Sequence, residues 1–364
     1  ALNQRLNQGQ VFGARSFQLK QGDLVIGDGL KAGEISVSLD GGHLTVNGTV
    51  DASGERVGAI RLAGKQGLTL GSGARLDAHG NRLRVDSYGG IIDAPNRATV
   101  ELSAVDGQLT LASGARIDLR HGTAASSGHD GWARGTLELN APRLGGASAG
   151  DIAIDASGPL DIQGASLIAV NGVQRYDDAR DGSDPAASGR PYQVIDQAYL
   201  DQKHAESLAF IDHALANGAL LNGKLAGLNN AAYADAFHLR PGVELVSRTP
   251  GGDLVVQGDL DLSGYRYASL NPHTPRTAAA GSGEVGHLVI RAGGDLSVLG
   301  SINDGFLAPP ATQDDDGWVL LPGKQPFNGD VVVPRGGIEL QDGTAFPAGT
   351  VLNYDLPIKA MTLA

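Results

Sequence analysis

Apolar and polar residues alternate along this chain in short bursts, and the bursts recur as a sentence. Ala59–Gly80 reads AIRLAGKQGLTLGSGARLDAHG, Thr99–Gly122 reads TVELSAVDGQLTLASGARIDLRHG, Asp151–Gly172 reads DIAIDASGPLDIQGASLIAVNG and His287–Gly305 reads HLVIRAGGDLSVLGSINDG. Each copy holds three alternating segments separated by Gly, Ser, Asp or Asn. In Ile60-Arg61-Leu62 and Leu68-Thr69-Leu70 the apolar side chains fall on one face of a strand and the polar ones on the other. Three strands in so short a span leave only a few residues per corner, too few for a crossover helix. The chain can instead coil, each turn laying its strands beside those of the turn before.

The pattern therefore predicts an all-β chain: a right-handed parallel β-helix (solenoid) with an inserted, partly helical segment outside the coil. A β-sandwich is the competitor, since it too is built of short strands with turn signals, but it gives no reason for the same three-strand sentence to return. Ile60, Leu62, Leu68, Leu70, Leu76, Leu109, Leu111, Ile117, Ile152, Ile154, Leu160, Ile162, Leu254, Val256, Leu288, Ile290, Leu296 and Val298 are expected to point inward. The 54 Gly among 364 residues, roughly twice the usual share, fall at corners such as Gly41-Gly42 and Gly293-Gly294. The recurring Gly-Ala pairs Gly73-Ala74, Gly114-Ala115 and Gly164-Ala165 mark corners where only a small side chain fits.

Repeats run through residues 1–172. The stretch 173–238 departs from them. It starts with a polar loop rich in Asp, Gly and Ser (RYDDARDGSDPAASGR, to Arg190). Tyr192, Ile195, Tyr199, Leu208, Ile211 and Leu215 then lie mostly three or four apart, which predicts a helix near 192–216. Pro191 suits its first turn and Gly218 its end. That helix is expected to leave the coil and pack on its outside, with a second short helix in the Ala- and Asn-rich 219–238. The insertion reads either as a binding surface or as a cover for exposed sheet. Repeats continue over 239–364, with loop excursions near 265–286 and 306–329.

Composition narrows the function. Aromatics are 5% of the chain, so the core is built of Leu, Ile, Val and Ala. The net charge of −12 disfavours nucleic acid and anionic membrane as partners. No apolar run approaches the ~18 residues of a membrane span. With no Cys there are no disulfides, cysteine nucleophiles or Cys-based zinc sites. The chain starts without Met, without a signal-peptide pattern, and stops in mid-pattern, and it reads as a piece of a longer protein.

No catalytic residue and no cofactor is expected. Asp51, Asp77, Asp118, Asp155, Asp259 and Asp261 fall at corners, where Asp commonly bonds to its own backbone. Glycoside hydrolysis needs two carboxylates across a cleft, and no compact Asp pair with a nearby His stands out; Ser127–Gly131 and Val285–Gly294 come nearest. The acidic runs Asp177–Asp184 and Asp314–Asp316 do not match a calcium loop, and no metal ligand is assigned. His204 and His213 are nine apart, a spacing ill suited to one metal on a helix face. The candidate ligand-contacting residues are the insertion and loop aromatics Trp132, Tyr176, Tyr192, Tyr265, Tyr267 and Trp318, which either stack on sugar or peptide groups or anchor their own loops.

The repeat copies, with the blocks LRPGVELVS (Leu239–Ser247), GGDLVVQGDLDLSGYRY (Gly251–Tyr267), HLVIRAGGDLSVLGSINDGF (His287–Phe306) and VPRGGIELQDGTAFPAGTVL (Val333–Leu352), resemble the filamentous haemagglutinin-like large exoproteins of Gram-negative bacteria. The resemblance implies an internal segment of a secreted, cell-surface protein. Such a protein is exported by two-partner secretion through an outer-membrane β-barrel transporter that the full-length chain would engage. It serves adhesion, biofilm formation or contact-dependent inhibition. The family's amino-terminal secretion motifs are not seen. The expectation is a structural and adhesive segment binding a host-cell or bacterial-surface glycan or protein through its insertions, without catalysis. A polysaccharide-active β-helix enzyme and a passive spacer are the alternatives.

Overall fold

The computed structural model describes residues 2–87, 89, 91–122, 133–182, 189–276 and 283–304, with the short strands 331–332, 338–339, 345–346 and 351–352. The chain divides into two compact units, 1–304 and 305–364.

The larger unit is mostly β, built of stacked parallel sheets in the arrangement of a solenoid. One sheet stacks eight parallel strands in chain order: Ala14–Leu19, Glu34–Leu39, Ala59–Gly64, Thr99–Ala104, Gly135–Leu144, Ala165–Tyr176, Phe237–Val246 and His287–Arg291. A second sheet stacks Leu24–Ile26, Leu44–Val46, Gly67–Leu70, Gln108–Leu111 and Ile154–Asp155. A third stacks Leu30–Lys31, Thr49–Asp51, Arg75–Asp77, Arg116–Asp118 and Asp161–Gln163. The repeat sets the register, so like sits on like: Ile60 on Val100, Leu62 on Leu102, Leu68 on Leu109, Thr69 on Thr110 and Leu76 on Ile117. The alternating apolar residues of all three sheets share one core, in which Ile60, Leu68, Leu70, Leu76, Leu109, Ile152 and Ile154 are fully buried. Each such side chain contributes roughly 1.5–3 kcal/mol relative to exposure. At the corners the backbones of successive turns nearly touch. A Cβ on Gly42 would lie 2.1 Å from the Gly22 carbonyl oxygen, and one on Gly107 would lie 2.0 Å from that of Gln66.

The first sheet widens as it grows. Its early strands have 6 residues, whereas Gly135–Leu144 has 10 and Ala165–Tyr176 has 12. The extra length carries a second, laterally displaced stack. Tyr192–Ile195, Asp253–Gln257 and Leu296–Leu299 pair in parallel, as do Leu260–Asp261 and Ile302–Asn303. A separate core of Tyr176, Ile195, Leu200, Leu245, Leu254, Val256 and Leu260 fills this stack. Three residues expected to point inward differ here: Leu288, Leu296 and Val298 are exposed. They share columns with the inward Val243, Leu254 and Val256. They occupy the last rung described, which has a neighbour on one side only.

Residues 192–216 correct the sequence expectation in two ways. Tyr192–Ile195 is a strand, held by its pairing with Asp253–Gln257. The helix starts later, Gln197–Ala216, because Asp196 caps it by accepting a hydrogen bond from the Tyr199 N–H. The helix also does not lie on the outside of the coil. The second and third sheets end at Ile154–Asp155 and Asp161–Gln163, and residues 210–233 close the core there. Phe210, Ile211, Leu220, Leu225 and Leu228 are fully buried in the same core as Ile152 and Ile154. Ala156 donates its N–H to Lys224 O at 2.7 Å and accepts from Gly227 at 2.8 Å. Tyr233 donates to Leu160 O at 2.8 Å and accepts from the Ile162 N–H at 3.0 Å. A short helical turn, Leu220–Lys224, supplies the second helical piece expected in 219–238. At the opposite end the helix Leu2–Gln8 lies over the first rung, with Asn3 and Asn7 both donating to Gly29 O at 2.8 Å. There it borders an apolar recess of about 300 Å³ lined by Leu2, Phe17, Leu19, Leu24, Ile26 and Leu30.

In the smaller unit, Val331–Val332 pairs antiparallel with Val351–Leu352, and Ile338–Glu339 with Ala345–Phe346. The parallel rungs described in the 239–364 region thus run to Asn303.

Candidate functional site

The polar and aromatic side chains converge where the helix Gln197–Ala216 meets the long strands. Lys203, almost wholly buried, points its Nζ at Asp178 Oδ2, 2.9 Å away, with Glu206 Oε1 at 3.8 Å. The rings of Tyr176 and Tyr199 flank the ammonium at 4.3 and 4.8 Å, close enough for cation–π attraction. Tyr199 donates to Asp178 Oδ1 at 2.6 Å, and Tyr176 donates to Glu206 Oε2 at 2.7 Å. Burial acts to raise the Asp178 carboxyl, but hydrogen bonds from Tyr199 and Lys203 outweigh it and hold the group below the usual carboxylate range. Burial pushes the Tyr176 and Tyr199 phenols up, and their bonds to carboxylates push them further.

One turn along, Tyr265 stacks on His204, with centroids 4.4 Å apart and planes 10° from parallel. Tyr265 donates to Asp201 at 2.6 Å and accepts from Gln197 at 2.9 Å. The Tyr267 hydroxyl meets His204 Nδ1 at 3.2 Å, and burial raises that phenol to about 12. Beneath the helix, the buried Arg143 reaches the carbonyl oxygens of Gly172, Gly242 and Ala147 and the Ser207 hydroxyl.

Of the candidate aromatics, this junction gathers Tyr176, Tyr265 and Tyr267. Tyr176 and Tyr267 are buried with both hydroxyls engaged, whereas Tyr265 is half-buried. Tyr192 lies apart, half-buried on its strand with its ring against Gly182. Trp132 and Trp318 lie outside the described residues, as does the Asp314–Asp316 run. In the described part of the other acidic run, three of the charged side chains have partners. Asp178 faces Lys203, Asp181 faces Arg248 at 3.0 Å, and Arg180 reaches across to Asp196 at 2.9 Å.

Burial depresses the His204 imidazole below its ordinary value, and Asp201 opposes this only in part. The unfolded chain therefore takes up the proton first as pH falls. Stability from this group is complete above the unfolded value of ~6.5 and is lost as pH drops below it toward the folded value. Urea midpoints measured at about pH 7.5 and about pH 5 should fall toward acid in the native chain. They should fall less in His204→Phe, which keeps the stack on Tyr265 but cannot titrate. Equal slopes would show that His204 is not the titrating group.

A second grouping lies on the outer face of the third sheet. Asp77 and Asp118 are register partners on adjacent rungs, and with His79 they place three potential ligand atoms within 4.8 Å of one another. Both carboxylates take the corner role expected of them, bonded to nearby backbone: His79 N–H donates to Asp77 at 3.3 Å and Arg120 N–H to Asp118 at 3.1 Å. Their stacking is not among the sequence expectations. Its signal is present in DAHG and DLRHG, which share one position of the repeat. Chemically the trio is already matched. Arg120 engages both Asp118 oxygens, and His79 Nδ1 lies 2.5 Å from Asp77 Oδ1. Burial acts to raise the Asp118 carboxyl, and the Arg120 bonds outweigh it and lower the group. A cation here would have to displace Arg120. Arg75, Arg116 and Asp161 complete the adjoining groove.

Among the described residues no helix is long and apolar enough to cross a membrane. Comparison of the chain with models of known protein families, with curated proteins and with solved structures finds no match.

Proposed function

We propose that this chain is a structural and adhesive segment of a secreted, cell-surface exoprotein of the filamentous haemagglutinin-like kind, coiled right-handed and exported by two-partner secretion in its full-length form. The observation that carries this reading is the parallel ladder of eight rungs with a helical insertion built into it. Such a ladder is a stiff support, and the outward positions of its second sheet carry short polar side chains such as Thr45, Thr69 and Thr110. Those positions offer little area to a partner, so recognition falls to the insertions and loops. The partner is a glycan or protein of a host cell or another bacterium.

Removing residues 175–238 would also remove the closure of the coil, so substitution is the sounder test. The intact chain, immobilised and exposed to a glycan panel and to whole cells, is expected to retain a ligand. Trp132→Ala or Trp318→Ala should weaken retention with melting unchanged, whereas Tyr265→Ala, which also loses the His204 stack and the bond to Asp201, should lower melting as well. Absence of retention from every glycan and cell would leave a passive spacer and sink the adhesive reading.

The stacked Asp77–Asp118 pair favours one second reading, a polysaccharide-active enzyme with those carboxylates in the acid and base roles. Release of reducing ends or unsaturated sugars by the native chain, abolished in Asp77→Asn and Asp118→Asn, would establish it. The bonds from Arg120 and His79 argue for the structural role.

A further inference from the structure

We propose that Lys203 and Asp178 are joined in the mature chain by an intramolecular amide bond, formed by this chain's own side chains with Glu206 as proton relay. A buried lysine among tyrosine rings, in hydrogen-bond contact with one carboxylate and near a second, has every group that such a closure needs. Nζ already sits 2.9 Å from Asp178 Oδ2, and Glu206 Oε1 is 3.8 Å from the same nitrogen. Two tyrosines assign the roles. Tyr199 donates to Asp178 Oδ1 at 2.6 Å, where negative charge would grow during attack on Cγ. Tyr176 holds Glu206 Oε2 at 2.7 Å, and Oε1, which also accepts from Gln202 at 3.2 Å, faces Nζ.

The steps balance without a cofactor. A proton passes from the Lys203 ammonium to Asp178 Oδ2 along their hydrogen bond, leaving a neutral amine and acid. The nitrogen lone pair attacks Cγ, and the Cγ–Oδ1 π electrons move onto Oδ1, where the Tyr199 hydroxyl stabilises them. Glu206 takes a proton from the nitrogen and returns it to the Oδ2 hydroxyl. The Cγ–Oδ2 bond then breaks, water departs and Cγ=Oδ1 re-forms. One ammonium and one carboxylate become one amide and one water, and Glu206 ends as it began. The neutral pair needs to be populated only rarely, because the reaction runs once per molecule and the groups are held together; effective molarities of such intramolecular reactions reach about 10⁵–10⁸ M.

The bond would tie the segment following the strand Ala165–Tyr176 to the helix that closes the coil, fastening the insertion covalently. It does not depend on the adhesive reading.

Intact mass of the folded full-length chain tests it. The native chain is expected to be lighter than its sequence by one water, with trypsin failing to cut after Lys203 and the peptides holding Lys203 and Asp178 recovered joined. Lys203→Arg and Asp178→Ala should restore the full mass. Asp178→Asn should close with loss of ammonia in place of water, which keeps the test alive if Asp178→Ala fails to fold. Glu206→Gln should leave the chain open and folded. A native chain at full sequence mass would overturn the proposal. So would a water loss that persists in Lys203→Arg, which would mark a succinimide elsewhere. Closure at native speed in Glu206→Gln would overturn the relay.

Discussion

Replacing Ile211 by Asp should destabilise the coil itself, by about 3–5 kcal/mol, whereas Leu208→Asp should stay within about 0.5 kcal/mol of the native chain. Both residues lie on the same helix, three apart, and both belong to its apolar stripe in the sequence. Leu208 is 39% exposed, and Ile211 is fully buried within the core that holds the strand residues Ile152 and Ile154. A carboxylate at 211 must be protonated or drawn out to water. The latter pulls away the closure that gives Ala156, Leu160 and Ile162 their hydrogen-bond partners. Circular dichroism during urea titration should show helix and strand signals lost together, at a lower midpoint, in Ile211→Asp. A helical signal that fell while the strand transition stayed in place would make the segment an external rider and rule out its role in closing the core.

The coil was legible in the sequence because a solenoid repeats the same physical problem. Each turn must bury the same columns, so Ile60 and Val100, or Leu68 and Leu109, announce one another. Where the repeat stops, only local signals remain, and they mislead. Tyr192–Ile195 matched helical spacing at Tyr192 and Ile195, yet its strand is fixed by a partner some sixty positions on, Asp253–Gln257, which no local window contains. Leu208 and Ile211 read alike because a helical period tells which face is apolar, not what lies against it. The junction aromatics Tyr176, Tyr265 and Tyr267 stood out as rare residues. Their surroundings were not legible, since Lys203, Asp178, Arg143 and Gly242 come from separate elements that only the fold assembles. Asp77 and Asp118 show the reverse case: the stacking was written in the repeat, and their corner role hid it.

Arg143→Met should cost about 3–5 kcal/mol of stability, the largest effect expected of a polar residue among the described ones. The residue is 7% exposed, and its guanidinium lies 4.1 Å over the Phe210 ring. It bonds to Gly172 O at 3.0 Å, to Gly242 O and Ser207 Oγ at 3.1 Å each, and to Ala147 O. All four acceptors are neutral oxygens, so the charge is held by dipoles, and burial depresses this guanidinium to about 10. Those acceptors belong to both long central strands, to the helix and to the loop after Leu144, so one planar fork ties together the elements between the two stacks. The site has no slack: a Cβ on Gly172 would stand 2.3 Å from Phe210 Cζ. Met keeps the length and the apolar stem but removes all five N–H donors, leaving buried oxygens unpaired. Lys should rescue only in part, because an ammonium cannot present a planar fork to separated acceptors. If the residue acts through packing alone, Arg143→Met will unfold within about 1 kcal/mol of the native chain. If the fork is what joins the two stacks, the variant will lose its single transition, with the strands from Tyr192 onward melting before the repeats that precede them.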